Sequence, residues 1–169
     1  ILPRDGEHTG AAIARREPVH ERRAHEAVRR AAGVGRPDQG ERVLDAGPDV
    51  FNHNMETVPR LYSRVRPQAE YQQSLDVLAF AKRSRPDVLT KSGLMVGLGE
   101  TSGEVERVLR DLVTHRTDVA TIGQYLQPTR RNMTVAEYIT PAQFDAYRDF
   151  GLRAGFRMVF SGPYVRSSY

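Results

Sequence analysis

Large apolar residues are scattered thinly along this chain up to about Glu41 and become regular after it. From Arg42 onward the pattern alternates between short apolar runs and helical stripes. Val43-Leu44 and Ala46-Gly47-Pro48 lead into Asp49-Val50-Phe51-Asn52, an apolar strand followed by polar residues. Tyr71, Leu75, Leu78 and Ala79 fall at helical spacing, which predicts a helix from Glu70 to about Ser84 with one buried face, stopped by Pro86. Val88 to Leu98 reads as the next strand and its exit loop. Thr101 and Glu104 have capping-box spacing, and Val105, Val108, Leu109, Leu112 and Val113 then repeat at i, i+3, i+4, i+7 and i+8, the clearest helical stripe in the chain. Asp118 to Leu126 predicts a strand. A last helix opens at Thr140, with Pro141 in its first turn and Gln143 three residues after the cap, and closes at Gly155. Phe156 to Phe160 is the final strand, trailing into SGPYVRSSY.

Strands and helices in strict alternation imply a parallel sheet with helical crossovers. Four such strands cannot close a barrel alone, so an α/β fold is expected, either half of a (β/α) barrel or a small open sheet. The first 41 residues stand apart: rich in Arg, Ala, Gly and Glu, without an aromatic residue, they bury too little apolar surface to offset their ordering entropy. Glu17 to Ala32 has the propensity of a polar helix, but Val19 and Val28 are too sparse to make a docking stripe. Two segments are therefore expected, 1–41 poorly ordered or irregular and 42–169 an α/β unit.

Composition narrows the chemistry. The chain of 169 residues contains no cysteine, so it cannot by itself build a disulfide, a thiolate zinc site, a cysteine nucleophile or a cysteine-held iron–sulfur cluster. A formal net charge of +4 would permit nucleic-acid binding, yet the excess comes from arginines spread among nearly as many acids, with no basic stripe interleaved with aromatics. No nucleic-acid partner is expected. No window approaches the apolar length of a membrane span and no secretory layout opens the chain, so a cytoplasmic protein without membrane association is expected.

In parallel α/β folds ligands bind at the C-terminal ends of the strands, and each predicted strand here ends in a polar or glycine cluster. Asn52, Asn54 and Glu56 alternate along an extended segment, so they project to one side and can hydrogen-bond hydroxyl or ammonium groups; the alternative is that they cap the following helix. His53 points the other way and reads as a structural histidine. Gly93, Gly97 and Gly99 allow a backbone to approach a flat ligand, or are ordinary turn glycines. Lys91 is a candidate partner for a carboxylate, or a solvated surface group. Arg166-Ser167-Ser168-Tyr169 is a polar cluster after an apolar strand, with a frayed tail as its plain reading. His115 and Arg130-Arg131 carry no spacing that suggests metal or nucleophilic chemistry. Taken without further context, these features also suit a non-catalytic α/β domain that binds a nucleotide or serves as a scaffold.

The order VFNHNMETVPRLYSRVRP, TKSGLMVGLGET, IGQYLQPT and SGPYVRSSY closely resembles the C-terminal half of lipoyl synthases, over about residues 42–169. The resemblance implies a partial (β/α) TIM-like barrel of the radical S-adenosylmethionine (SAM) type, two 4Fe-4S clusters and SAM as cofactors, and insertion of sulfur at C6 and C8 of an octanoyl chain. That chain is carried on a lysine of the lipoyl carrier domain of a 2-oxoacid dehydrogenase or the glycine cleavage H protein. It places Asn52, Asn54, Glu56, Lys91 and Ser92 at strand ends facing SAM, and Gly93 to Glu100, including Gly97, on the family's G-x-I-x-G-x-x-E-type element beside the adenine, with Met95 where Ile is common. It matches Ser168, in preference to Ser167, to the serine that ligates one iron of the auxiliary cluster. The family's C-x4-C-x5-C and C-x3-C-x2-C motifs, which hold the two clusters, are absent here, so the chain by itself is expected to retain neither cluster and to be inactive. An Arg-rich segment joined abruptly to a good match further suggests a shifted reading frame or a mis-called start upstream of residue 42.

Overall fold

The computed structural model describes residues 37–167; the Glu17–Ala32 helix, most of the 1–41 segment and Ser168 lie outside the described residues. Helix α1 (Pro37–Asp45) precedes strand β1 (Val50–Asn52), a 3-10 turn (Pro59–Leu61), a single helical turn α2 (Tyr62–Val65) and helix α3 (Tyr71–Ser84). The remainder is β2 (Leu89–Val96), α4 (Ser102–Thr114), β3 (Val119–Gln124), α5 (Pro141–Ala154) and β4 (Met158–Gly162).

All three strand pairs are parallel and the sheet order is β1-β2-β3-β4, the order of the chain. The order never reverses, which sends the connecting helices to one face, as in a barrel rather than a doubly wound sheet. The parity of the strands bears this out. Phe51, Leu94, Val96, Ala120, Ile122 and Val159 point into the core shared with Leu75, Leu78, Val105, Leu109, Leu112 and Phe144 of the helices. The opposite, inner face presents Lys91, Gly93 and Met95 of β2, Thr121 and Gly123 of β3, and Met158 and Phe160 of β4; Met158 and Phe160 are 40% and 46% exposed.

The helix ends follow the sequence signals. Thr101 Oγ1 accepts from the Glu104 N–H at 3.3 Å while the Glu104 carboxylate accepts from the Thr101 N–H at 2.8 Å, a complete capping box. Arg60 donates to the same carboxylate at 2.8 Å, and this hydrogen bond, reinforced by the cap, pulls the Glu104 pKa down to about 2. Thr140 caps α5 by accepting from Gln143 N–H at 3.2 Å.

Two differences from the expected elements have local causes. The last strand begins at Met158 instead of Phe156, because the Phe156 N–H is spent on the Gly151 carbonyl at the end of α5 and pairing starts only afterwards. Helix α1, which runs across the composition change near Glu41, and the turns from Pro59 to Val65 lacked a period long enough to register.

At the N-terminal ends of the strands a compact polar cluster ties β2, β3 and α3 together. Lys82 Nζ donates to Asp118 Oδ2 at 2.8 Å and to the Val88 carbonyl at 3.0 Å, and the Thr90 N–H donates to the same Asp118 oxygen at 2.8 Å. Burial alone would raise the Asp118 pKa, but the bonds from Lys82 and Thr90 outweigh it and hold the carboxyl below its ordinary value.

Candidate functional site

The site begins with a one-residue mismatch between β1 and β2. Asn52 is level with Lys91 and Glu56 is level with Leu94, so the β1 side has one residue more than β2 over the same rise. Glu56 absorbs the excess with a left-handed backbone, φ +65, while its N–H donates to the Gly93 carbonyl at 3.0 Å and its carbonyl accepts from Met95 at 2.9 Å. The bulge sends Met55 and Thr57 into the interior and leaves Asn54 and Glu56 on the inner face. Arg66 Nη1 fixes the loop from behind by donating to the Asn54 carbonyl at 2.7 Å.

A cleft of about 250 Å³ results, lined by Asn54, Glu56, Gly93, Leu94 and Met95 on one side and by Thr121, Gly123, Gln124, Leu126 and residues 165–167 on the other. Asn54 Nδ2 donates to Glu56 Oε1 at 3.1 Å, but Asn54 Oδ1 is buried with no hydrogen-bond partner among the described residues. The same holds for Oδ1 of Asn52, one pleat further down. A buried acceptor left unpaired costs about 1–3 kcal/mol, so both positions favour a molecule that brings N–H or O–H groups. Gly93 makes room for this arrangement: a Cβ there would sit 2.8 Å from Asn54 Oδ1 and 3.1 Å from Ser167 Cβ.

The C-terminal tail forms the other wall. After β4 it turns at Gly162–Val165 and runs back over the inner face, the Val165 carbonyl lying directly against Gly123 where any side chain would collide with it. Further down the face, Lys91 Nζ donates to the Ser167 carbonyl at 2.9 Å. Lys91 is 7% exposed, and burial lowers its pKa.

Of the residues the sequence singled out, Asn54, Glu56 and Gly93 line the cleft together. Asn52 and Lys91 share its face, with the Lys91 ammonium engaged by the tail. Ser92 faces the helices, where its Oγ accepts from Met55 N–H at 3.3 Å. Gly97 and Glu100 belong to a neighbouring turn: the Glu100 carboxylate accepts the N–H groups of Gly97 at 2.5 Å and Leu98 at 2.9 Å, and the Gly97 carbonyl accepts from Ala136 at 2.9 Å. That turn and Gln124, whose amide bonds Glu137 and Ile139, hold the long β3–α5 connection beside the cleft. Ser168 lies outside the described residues. Sequence reasoning gave no role to Thr121 or Val165 and placed Gly123 only in the cluster Gly123 to Pro128 at a strand end; a glycine inside a strand, on the same parity as Thr121, was the available signal for the first of these. Among the described residues no group of three or more His, Asp or Glu is placed to hold a metal, and no helix is long and apolar enough to cross a membrane.

A barrel-like parallel sheet with a polar, glycine-floored cleft at its strand ends is what one large family of α/β proteins would supply, and the sequence carries that family's signature: the model of the radical SAM superfamily matches residues 3–112. The chain belongs to this superfamily, whose members use SAM and a 4Fe-4S cluster. Within it, the chain is similar to lipoyl synthases. It is 57% identical over 135 residues to the lipoyl synthase of Rubrobacter xylanophilus, covering 80% of this chain and 42% of that protein. It is 54% identical over 136 residues to the lipoyl synthase of Caldanaerobacter subterraneus subsp. tengcongensis, covering 80% and 48% respectively. With the lipoyl synthase of Idiomarina loihiensis the identity is 58% over 122 residues, covering 72% and 38%. The chain therefore spans less than half the length of these relatives.

Proposed function

We propose that this chain is the C-terminal, strand-end portion of a lipoyl synthase, and that its cleft is the part of the SAM site contributed by these strands. The enzyme would act in the cytoplasm on an octanoylated lipoyl carrier domain, of a 2-oxoacid dehydrogenase or the glycine cleavage H protein, inserting two sulfur atoms at C6 and C8. The observation that carries the reading is the unpaired, buried Asn54 Oδ1 beside the bare backbone of Gly93. SAM fits this set: its ammonium and ribose hydroxyls are donors, its adenine is flat, and the site offers acceptors over a floor without side chains.

When bound, SAM supplies the hydrogen-abstracting power characteristic of the family. In this reading the chain's own residues bind and orient it. Asn54 and Asn52 accept hydrogen bonds, Glu56 offers a carboxylate to a cationic group, and Gly93 admits a flat surface. Ser92 supports the same wall by accepting from the Met55 N–H, the turn of Gly97 and Glu100 holds the β3–α5 connection beside it, and Lys91 bounds its lower end.

The iron–sulfur clusters are a different matter. They need thiolates, the chain has no cysteine, and the oxygen of Ser168 is by itself a poor anchor for iron. The residues present do not fit either cluster, so the chain by itself retains none and is inactive, with Ser168 reserved as a ligand for a cluster held mainly by cysteines elsewhere. Anaerobic reconstitution with iron and sulfide, followed by SAM, tests this: the expected result is no retained iron and no 5′-deoxyadenosine, and detection of either would refute it.

A further inference from the structure

The chain uses lysine at two positions only, Lys82 and Lys91, among 25 cationic residues. Both ammonium groups are withdrawn from solvent and both donate to a backbone carbonyl. Lys82 also has the Asp118 carboxylate at 2.8 Å. Among the described residues no carboxylate lies within ion-pair distance of Lys91, and the Ser167 carbonyl, 76 residues further along the chain, is its hydrogen-bond acceptor. A desolvated ammonium that gains no ion pair costs stability, so its placement calls for a purpose.

We propose that Lys91 is a latch that holds the C-terminal tail on the inner face of the sheet and so keeps residues 165–167 in place as one wall of the cleft. Two glycines prepare the track. The Val165 carbonyl lies against Gly123, and Ser167 Cβ would stand 3.1 Å from a Cβ at Gly93, so the tail lies against bare strand backbone before it reaches the ammonium. A lysine suits the task better than an arginine because a compact point donor on a flexible stem reaches a single carbonyl in a confined space, whereas a planar guanidinium brings five donors to satisfy. The latch rests on the tail contacts alone and not on any reading of the cleft's ligand.

The two lysines make the test direct. The whole 169-residue chain and a variant ending at Pro163 are acetylated under native conditions with an N-hydroxysuccinimide ester, and each lysine is followed by peptide mass spectrometry. Loss of the tail is expected to raise the Lys91 rate at least about tenfold while leaving Lys82, the internal control, within about twofold. An unchanged Lys91 rate overturns the proposal, and so does a parallel rise at Lys82, since that would make the tail a general requirement of the fold. As the reciprocal measurement, Lys91→Met keeps the stem and removes the donor. Amide hydrogen exchange in residues 164–167 is then expected to quicken about tenfold with β3 amides unaffected, and unaltered tail exchange overturns the latch. Neither readout involves SAM or iron, so failure of the latch and failure of the proposed function are told apart.

Discussion

Two clusters of buried polar groups, one at each end of the sheet, are arranged in opposite ways. At the N-terminal ends, Asp118 accepts from Lys82 and from the Thr90 backbone, and Lys82 spends a further proton on the Val88 carbonyl. Toward the C-terminal ends, Asn54 and Asn52 are just as withdrawn from water, yet each keeps a side-chain oxygen on the inner face with no partner among the described residues. The first cluster is complete within the chain and its energy goes into folding. The second is incomplete, and the cost of about 1–3 kcal/mol per unpaired acceptor is recovered only when something else donates. The same chemistry of amide, carboxylate and ammonium thus yields a closed clasp in one cluster and open acceptors in the other, and closure of the hydrogen-bond inventory is what separates them.

Breaking the clasp should have the largest effect. Asp118→Ala leaves the Lys82 ammonium buried and uncompensated, which is expected to cost about 3–5 kcal/mol in urea unfolding. Because the Asp118 pKa is held below its unfolded value, its contribution is complete above the unfolded pKa and is lost as pH falls through the folded one. Stability of the native chain should therefore decline on that acid limb, and Asp118→Ala should flatten it; an equal decline in both would remove Asp118 from the account.

Gly123→Ala comes next. Its Cβ would fall on the Val165 carbonyl, so the tail must lift or the strand must shift, at a cost of about 1–3 kcal/mol. Faster hydrogen exchange confined to residues 163–167 is the expected signature, and exchange spreading evenly through β3 would mean that the strand, not the tail, had yielded.

Much of this was legible beforehand where the signal is local. The stripe from Val105 to Leu112 and the Thr101–Glu104 box named α4 because both causes sit within one or two turns of chain. Asn54 and Glu56 could be nominated from their place after a strand and Gly93 from the close approach a glycine allows, and the three share a cleft. The return of the tail over Gly123 and Gly93 could not be read, because it joins Lys91 to a carbonyl 76 residues away and no periodicity encodes that. The separation of Gly97 and Glu100 from the cleft was equally hidden. Spacing shows that a glycine turn precedes a capped helix, but not that the Glu100 carboxylate turns back onto the Gly97 and Leu98 N–H groups. Helix α1 escaped because its apolar pair, Val43 and Leu44, is adjacent in sequence and shows no stripe, although the helix packs on α3.

The smallest stability effect belongs to the open acceptors, which makes them the sharpest probe. Asn54→Ala removes an unpaired acceptor along with the single bond to Glu56, so unfolding free energy should change by less than about 1 kcal/mol. Binding is where it should register. The direct measurement is a titration of the isotope-labelled chain with SAM, followed through backbone amide NMR shifts. Weak but saturable shifts at Gly93, Asn54 and Thr121 that vanish in Asn54→Ala are the result this account predicts. No shift at those amides up to millimolar SAM, or shifts that survive the substitution unchanged, would contradict it.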